Sequence, residues 1–179
     1  MIILGVDPGT LITGYGVISA DGPALKMLEV GVIKNTAKEK MPIRLRRVYD
    51  GLCRVIEAYH PDELAIETAF YSKNAQSALK IGQARGVLIL AGVNAEVPVT
   101  EYSPREIKKS VVGSGAASKE QVQFMMKTLL RLATTPKFFD ATDALAVAVC
   151  HSHRINRPRS GFKSWKSFAE AHPERVVKR

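Results

Sequence analysis

Four carboxylate side chains stand where the sequence pattern places the end of a strand or the start of a helix: Asp7, Glu67, Asp140 and Asp143. Asp7 and Glu67 each close a short apolar run, and side chains at the ends of neighbouring strands converge at one edge of a sheet. Asp140 and Asp143 lie three residues apart, so a helix presents both on one face. Converging negative charges are unfavourable unless cations lie between them, and Mg²⁺ prefers such oxygen ligands. The set predicts paired divalent cations that activate water against a phosphodiester.

Each carboxylate also has a purely structural interpretation. Asp7 precedes a Pro-Gly pair and could start a turn, Asp140 could cap a helix, and Asp143 could complement the helix dipole. Glu67 is harder to explain in this way, because it closes an apolar run that should be central and unpaired buried glutamate is rare. The four residues taken together favour chemistry over turn and cap roles.

The composition is that of a globular protein. The chain has 179 residues, of which 46% are hydrophobic, and this predicts one domain with a substantial core. No apolar run reaches the roughly 20 residues that span a bilayer, and the N-terminus shows no signal-peptide pattern. Cys53 and Cys150 both fall in predicted helices, and we expect free thiols in a reducing cytoplasm.

The formal charge of +9 is concentrated near the C-terminus. Residues 151–179 contain eight Lys or Arg residues against two Glu residues, a net charge of +6. Such a charge suits a nucleic-acid partner through phosphate neutralisation, although a solvated basic tail would have the same composition. We expect one folded domain over 1–156 and a mobile basic tail over 157–179, because Pro, Gly, Ser and basic residues dominate there.

Hydrophobic periodicity and turn residues predict an α/β fold. Three strands punctuated by glycines form an antiparallel meander. Two later strands alternate with helices and should pair in parallel, which gives a mixed sheet with helices on both faces. The predicted strands are 1–7, 14–20, 24–33, 62–67 and 97–102. The predicted helices are 42–59, 75–92, a short helix capped by Ser103, a helix from the capping box at Ser118 to Leu132, and 140–155.

Several segments along the chain form one recognisable set, and the most specific of them is the run from Asn74 to Gly86. The other segments are Gly5-Val6-Asp7-Pro8-Gly9-Thr10 with Gly14-Tyr15-Gly16, Ala65-Ile66-Glu67, Val111-Val112-Gly113, Ser118-Lys119-Glu120-Gln121-Val122 and Asp140-Ala141-Thr142-Asp143-Ala144-Leu145-Ala146. Together they closely resemble the RuvC-type Holliday-junction resolvases, and the resemblance covers about residues 1–153.

The resemblance implies an RNase H-like nuclease domain over 1–156 that works as a homodimer. It implies a structure-selective endonuclease that resolves four-way DNA junctions by symmetric cleavage during recombination and repair. It also implies two Mg²⁺ ions per active site, which Mn²⁺ could replace, and a branch-migration motor as a further partner. The implied metal ligands are Asp7, Glu67, Asp140 and Asp143.

The resemblance also places DNA contacts. Lys108 and Lys119 match basic positions near the scissile phosphate, with Lys109 as the alternative to Lys108. Phe70 lies three residues after Glu67 in a polar loop, where an exposed aromatic could wedge between bases at an opened crossover. A core aromatic that anchors the loop is the structural alternative. Tyr71 could share the role of Phe70, and three basic residues after Glu67 could add to a cationic groove for DNA: Lys73, Lys80 and Arg85.

Several alternatives stay open at this point. Asp-x-Gly-Thr followed by Gly-x-Gly also opens sugar kinases and actin-like ATPases, but this chain is too short for their two domains. A catalytically silent DNA-binding module conflicts with four carboxylates, which would repel phosphate without metal. The small residues Ala78, Gly82 and Gly86 make helix 75–92 either a dimer surface or a sheet-packing helix. His151 and His153 are expected at the surface.

Overall fold

The computed structural model describes residues 1–68, 75–156 and 165–172. Its strands are β1 (Ile2–Asp7), β2 (Ile12–Asp21), β3 (Ala24–Lys34), β4 (Glu63–Glu67) and β5 (Val99–Tyr102). Its helices are α1 (Met41–Tyr59), α2 (Ala75–Asn94), α3 (Pro104–Val112), α4 (Lys119–Leu129), α5 (Phe139–Ile155) and α6 (Trp165–Ala171). The strands form one mixed sheet in the order β3-β2-β1-β4-β5.

The first three strands form the predicted antiparallel meander. Asp7 at the end of β1 lies opposite Gly14 of β2, and Lys34 at the end of β3 lies opposite Ile12. The tight turn between β2 and β3 uses Gly22 at φ +54°, a conformation that glycine adopts without a Cβ clash. The ends of β1 and β3 therefore lie at the same edge of the sheet.

The last two strands extend the sheet in parallel with β1. Ile66 of β4 lies beside Val6, and Tyr102 of β5 lies beside Glu67. α1 precedes β4 and α2 precedes β5, as expected for crossover connections. This arrangement confirms the predicted mixed topology and brings the C-terminal ends of β1, β4 and β5 to one edge.

Helices cover both faces of the sheet, as predicted. On one face, Leu52 of α1 and Leu88 of α2 pack in a core with Val6 and Ile66. On the other face, α3, α4 and α5 pack around a second core. α5 is buried from Ala141 to Ser152 apart from Asp143, and it contacts β1, β2, β3 and β4. α5 is therefore the helix that the rest of this layer surrounds.

Local signals place most element boundaries correctly. Ser103 and Ser118 cap α3 and α4 in complete capping boxes with Glu106 and Gln121. β2 begins at Ile12, two residues before the prediction, and α4 ends three residues before it. α6 lies in the basic tail and was not predicted, because a helix of seven residues shows too little periodicity.

The expected surface position of His151 is wrong. The residue is 3% exposed, and its Nδ1 lies 2.7 Å from the Tyr102 hydroxyl oxygen. Burial, with the nearby charge of Arg154, lowers the pKa of His151 to about 4, so the ring is neutral at pH 7. Three- and four-residue spacing carries the buried face of α5 through Ala144 and Ala148 to His151, which is why the last turn is still covered.

The two cysteines are not joined by a disulfide, and both lie in helices. Cys150 is buried in α5, and Cys53 is partly buried in α1. Across the described ranges, no helix is both long enough and apolar enough to cross a membrane.

Candidate active site

Asp7 and Glu67 point to the face of the sheet that α5 covers. Side chains alternate between the two faces along a strand. Val6 and Ile66 pack with α1 and α2, so the residues that follow them face α5. Because Val6 pairs with Ile66 in the parallel register, Asp7 and Glu67 end neighbouring strands at the same level.

Glycines allow α5 to approach β1 and β2 closely. A Cβ on Gly5 would lie 2.2 Å from the Ala144 carbonyl oxygen, and a Cβ on Gly14 would lie 1.9 Å from the Asp140 carbonyl oxygen. No side chain fits at such distances, so both positions require glycine. Gly14 is also the residue opposite Asp7, and the contact therefore sets the first turn of α5 beside Asp7.

Three of the four predicted carboxylates line one cavity of about 240 Å³, here called the acidic cavity. Its walls come from β1, β4, α3, α4 and α5. Asp140 is not part of the lining, but it lies on the first turn of α5 and its charge acts on Asp7. The lining residues are Asp7, Glu67, Pro104, Ile107, Lys108, Lys119, Val122, Asp143 and Ala146.

Burial and mutual repulsion make these carboxylates hard to ionise. Burial, and then the charges of Glu67, Asp143 and Asp140, raise the pKa of Asp7 to about 8. Burial and the charge of Asp143 raise the pKa of Glu67 to about 7. Burial also raises the pKa of Asp143, against the opposing effect of Lys119. A cavity with such an excess of negative charge is stabilised by added positive charge.

Two lysines bring positive charge to the acidic cavity. Lys119 Nζ lies 3.3 Å from Asp143 Oδ2, and the charge of Asp143 raises the pKa of Lys119. Lys108 lines the cavity from α3, and its charge opposes the rise in the pKa of Glu67. Lys109 borders a different groove. Of the two neighbouring lysines on α3, Lys108 is therefore the one that faces the carboxylates.

The donor set of the acidic cavity suits a hard divalent cation. Asp7, Glu67 and Asp143 offer carboxylate oxygens, and their pKa values are raised first by burial and then by neighbouring carboxylates, so an added cation would favour their ionised forms. Within the described residues, no three Asp, Glu, His or Cys side chains form a ready-made ligand shell. Lys119 is in ionic contact with Asp143, so the side chains present would have to rearrange before they could coordinate a metal ion together.

Two predicted DNA contacts lie on α2, which packs on the opposite face of the sheet from the acidic cavity. Arg85 forms a two-point ion pair with Glu101 of β5, with Nη2 3.1 Å from Oε2. Lys80 is exposed. Three further candidates, Phe70, Tyr71 and Lys73, lie outside the described residues, and their roles stay predictions.

Sequence reasoning missed a pair of aromatic residues beside the acidic cavity. Phe139 is 45% exposed, and Lys119 Nζ lies 5.9 Å from the centre of its ring. Lys34 Nζ lies 4.0 Å from the centre of the Phe138 ring. The sequence does carry a signal, because two adjacent phenylalanines follow a Thr-Thr-Pro-Lys stretch directly before Asp140.

The strand order and the two helix layers are those of the RNase H-like fold. Residues 3–151 match the family model described as crossover junction endodeoxyribonuclease RuvC. The chain belongs to this family of endonucleases. It is 45% identical to the RuvC of Cytophaga hutchinsonii over 98% of this chain and 88% of the relative. It is 55% identical to the RuvC of Shewanella sp. strain MR-4 over 85% of this chain and 87% of the relative.

Solved structures agree with this assignment. The structure described as T. thermophilus RuvC in complex with Holliday junction substrate has a TM-score of 0.83 and 31% identity, and the match covers 87% of this chain and 95% of that one. The yeast mitochondrial Holliday junction resolvase Ydc2 has a TM-score of 0.60 at 13% identity, which shows a shared fold. The kinase-like and catalytically silent alternatives are therefore not favoured.

Proposed function

We propose that this endonuclease resolves four-way DNA junctions by cutting two strands symmetrically in recombination and repair. The observation that carries the proposal is the acidic cavity, in which carboxylates from β1, β4 and α5 meet two lysines. A related protein with the same fold was solved with a Holliday junction substrate. Carboxylates that face a phosphodiester need cations between them and the DNA, which is the arrangement of a metal-dependent nuclease.

Asp7, Glu67, Asp140 and Asp143 would hold two Mg²⁺ ions, for which Mn²⁺ could substitute. When bound, the ions supply charge neutralisation and an activated water for hydrolysis of the phosphodiester. The raised pKa values of Asp7 and Glu67 support this role, because added positive charge would lower them and keep both groups ionised at pH 7.

Lys119 and Lys108 would hold the scissile phosphate. The Lys119 side chain is 62% exposed, so its ammonium group can reach a phosphate while it stays beside Asp143. Lys119 is also the first residue of α4, where backbone N–H groups and the helix dipole favour an anion. Lys108 approaches the same cavity from α3 and adds a second positive charge.

The remaining predicted contacts would hold the arms of the junction. Phe70 and Tyr71 would stack on bases at the crossover, and Lys73 and Lys80 would contact phosphates. Arg85 has a weaker claim, because it would have to exchange its ion pair with Glu101 for a phosphate. Residues 157–179 would add affinity for DNA of any sequence through their positive charge.

A substrate with two-fold symmetry is matched by two equivalent active sites, so we propose a homodimer formed through α2. Positions on the exposed side of α2 recur every three or four residues and form one stripe. Its large members are well exposed, and its glycines face open space: Leu79, Gly82, Gly86, Leu90 and Val93. Because α2 packs on the face away from the acidic cavity, this contact leaves both cavities open to DNA.

The resemblance also suggests a branch-migration motor as a partner, and the lack of a disulfide between Cys53 and Cys150 is compatible with a reducing cytoplasm as the location. Neither point affects the chemistry of the acidic cavity.

A synthetic immobile four-way junction tests the proposed function. The protein is incubated with it in the presence and absence of Mg²⁺, with a linear duplex of equal length as the control. We expect paired cuts at symmetric positions of the junction that depend on Mg²⁺, and no comparable cutting of the duplex. Equal cutting of both substrates would contradict the proposal.

A pair of neighbouring variants tests the lysine assignment in the same assay. Lys108→Ala removes a charge from the acidic cavity and should lower the cleavage rate by roughly tenfold or more. Lys109→Ala removes the same charge next to it, outside the cavity, and should leave the rate close to that of the parent. Equal effects of the two variants would show that Lys108 acts only through the overall charge of the surface.

A further inference from the structure

Phe138 and Phe139, here called the aromatic lip, stand beside the acidic cavity at the start of α5. Phe139 is the first residue of the helix and is 45% exposed, whereas Phe138 is half-buried. Single exposed apolar residues are common on protein surfaces and need no explanation. The aromatic lip differs from them in its contacts.

Each ring of the aromatic lip has a lysine ammonium group over it. Lys34 Nζ lies 4.0 Å from the centre of the Phe138 ring, and Lys119 Nζ lies 5.9 Å from that of Phe139, both within cation–π range. Lys119 Nζ also lies 3.3 Å from Asp143 Oδ2. One ammonium group therefore joins the Phe139 ring to the carboxylates of the acidic cavity.

The sheet topology explains why these groups meet. β3 ends at Lys34 at the same edge where β1 ends at Asp7, and the first turn of α5 is held against this edge by Gly14. The edge thus carries the carboxylates, two aromatic rings and two ammonium groups side by side. A nucleotide complements these groups, because its flat base can stack on the aromatic rings and its negative phosphate can bind the ammonium groups.

We propose that the aromatic lip is a nucleobase-binding site, in which Phe139 stacks on a base next to the cleaved phosphate. Lys119 and Lys34 hold the phosphates on either side of that base, and Phe138 holds the ammonium group of Lys34 in place through its cation–π contact. The aromatic lip selects the nucleotide that enters the acidic cavity, and in this way it influences where the DNA is cut. This inference rests on the proposed function, because it takes the acidic cavity to be the place of DNA cleavage.

Four variants test the stacking role. Phe139→Ala removes the side chain, Phe139→Leu keeps apolar volume without a ring, and Phe139→Tyr restores the ring. The matched control is Phe124→Ala, because Phe124 is 68% exposed on α4 but lies about 140° around that helix from Lys119. Junctions carry the fluorescent base 2-aminopurine at each position flanking the cut, and its quenching is measured with Ca²⁺ in place of Mg²⁺, because the carboxylates need cations between them and the DNA. Single-turnover cleavage is measured with Mg²⁺.

We expect the parent and Phe139→Tyr to quench 2-aminopurine at one position beside the cut, and Phe139→Ala and Phe139→Leu to leave it bright. Phe139→Ala and Phe139→Leu should cleave about tenfold more slowly, within the range for the loss of one base–aromatic stack. Phe139→Tyr should recover most of the rate, and Phe124→Ala should match the parent.

Parent-like quenching and cleavage by Phe139→Leu would overturn the inference, since apolar packing would then be sufficient. Equal effects of Phe139→Ala and Phe124→Ala would also overturn it. If Phe139→Ala fails to fold, the comparison between Phe139→Leu and Phe139→Tyr still tests the inference, because both variants keep a large side chain. Absence of cleavage by the parent would instead refute the proposed function, and the quenching pattern would still report on the aromatic lip.

Discussion

At the scale of single residues, the acidic cavity contains carboxylates whose burial disfavours their ionised form. The pKa of Asp7 is raised to about 8 from an ordinary value of 3.8, with burial as the largest cause and neighbouring carboxylates next. Ionised Asp7 therefore destabilises the metal-free folded state. Such a position is typical of a residue kept for chemistry rather than for stability.

Replacement of this charge should stabilise the metal-free protein. Asp7→Asn should raise the free energy of unfolding by roughly 2 kcal/mol at pH 7.5, as measured by urea unfolding. The gain should grow as the pH rises from about 4 to about 8 and then level off, because folded Asp7 takes up a proton at higher pH than the unfolded residue. The same variant should lose junction cleavage while it keeps junction binding.

The control is Asp50→Asn, a partly exposed aspartate on α1 paired with Arg46, which should change stability by about 0.5 kcal/mol or less. Added Mg²⁺ should raise the melting temperature of the parent, because the ligand binds the folded state, and should raise that of Asp7→Asn much less. A destabilised Asp7→Asn, or an undiminished Mg²⁺ effect, would show that Asp7 is a structural residue.

The sequence was sufficient to find the carboxylates but not all of their neighbours. Asp7 and Glu67 are marked by the apolar runs they close, and Asp140 and Asp143 by their spacing. The choice between Lys108 and Lys109 depends on the rotation of α3 against the sheet, which local patterns do not determine. The role of Phe139 depends on Lys119, which comes from another helix.

At the scale of elements, the position of α5 decides whether the acidic cavity forms. The helix carries Asp140 and Asp143, and it is held against β1 and β2 by backbone contact at Gly5 and Gly14. The contact is to backbone atoms, which cannot move aside as a flexible side chain could. Glycine at positions 5 and 14 is therefore required by the site as well as by the fold.

A methyl group at this contact should displace α5. In Gly5→Ala, the new Cβ would lie 2.2 Å from the Ala144 carbonyl oxygen and 2.6 Å from the Ala148 nitrogen. We expect a loss of about 3 kcal/mol or more in the free energy of unfolding, comparable to overpacking of a core, together with loss of cleavage. Urea unfolding and the junction assay measure both effects.

The control is Gly22→Asn, at a turn where a side chain meets open space and where asparagine tolerates the positive φ. It should cost less than about 1 kcal/mol. A Gly5→Ala protein of normal stability would mean that α5 has room to shift, and the explanation of the site through close packing would then be wrong.

Sequence patterns predict the elements with strong periodicity or clear caps, and they fail where tertiary contacts dominate. The meander, the parallel strands and the capped starts of α3 and α4 follow from local signals. The sequence predicts His151 at the surface, because it lies near a helix end. In the structure α5 is surrounded along its length, and His151 is buried beside the Tyr102 hydroxyl. α6 has too few residues to show a pattern.

At the scale of the whole molecule, the sheet separates two tasks. The face covered by α3, α4 and α5 holds the acidic cavity, and the face covered by α1 and α2 carries the proposed dimer surface. A change on one face should therefore act on assembly or on chemistry separately, except where cleavage itself needs two subunits.

A charge in the exposed stripe of α2 should separate the subunits. Leu90→Asp places a carboxylate at a position that is 51% exposed, and we expect the dimer dissociation constant to rise by about 100-fold, as for a central interface residue. Light scattering measures the mass, and the junction assay measures whether paired cuts are lost. Ile43→Asp on α1, also 51% exposed, is the matched control and should leave mass and cutting unchanged.

Identical masses for the parent, Leu90→Asp and Ile43→Asp would place the dimer contact elsewhere or show that the chain acts as a monomer. A stable Leu90→Asp monomer that still makes paired cuts would separate symmetric cleavage from dimer formation.

The order of elements along the chain has a consequence for protein synthesis. Asp7 emerges from the ribosome with β1, whereas Asp140 and Asp143 emerge with α5, after the whole sheet has been translated. A nascent polypeptide that already contains all five strands still lacks half of its four carboxylates and the helix that fills the groove over Gly5 and Gly14. If DNA is cut at the acidic cavity, as proposed, this capacity arises late in translation, and products that stop before α5 would be inert.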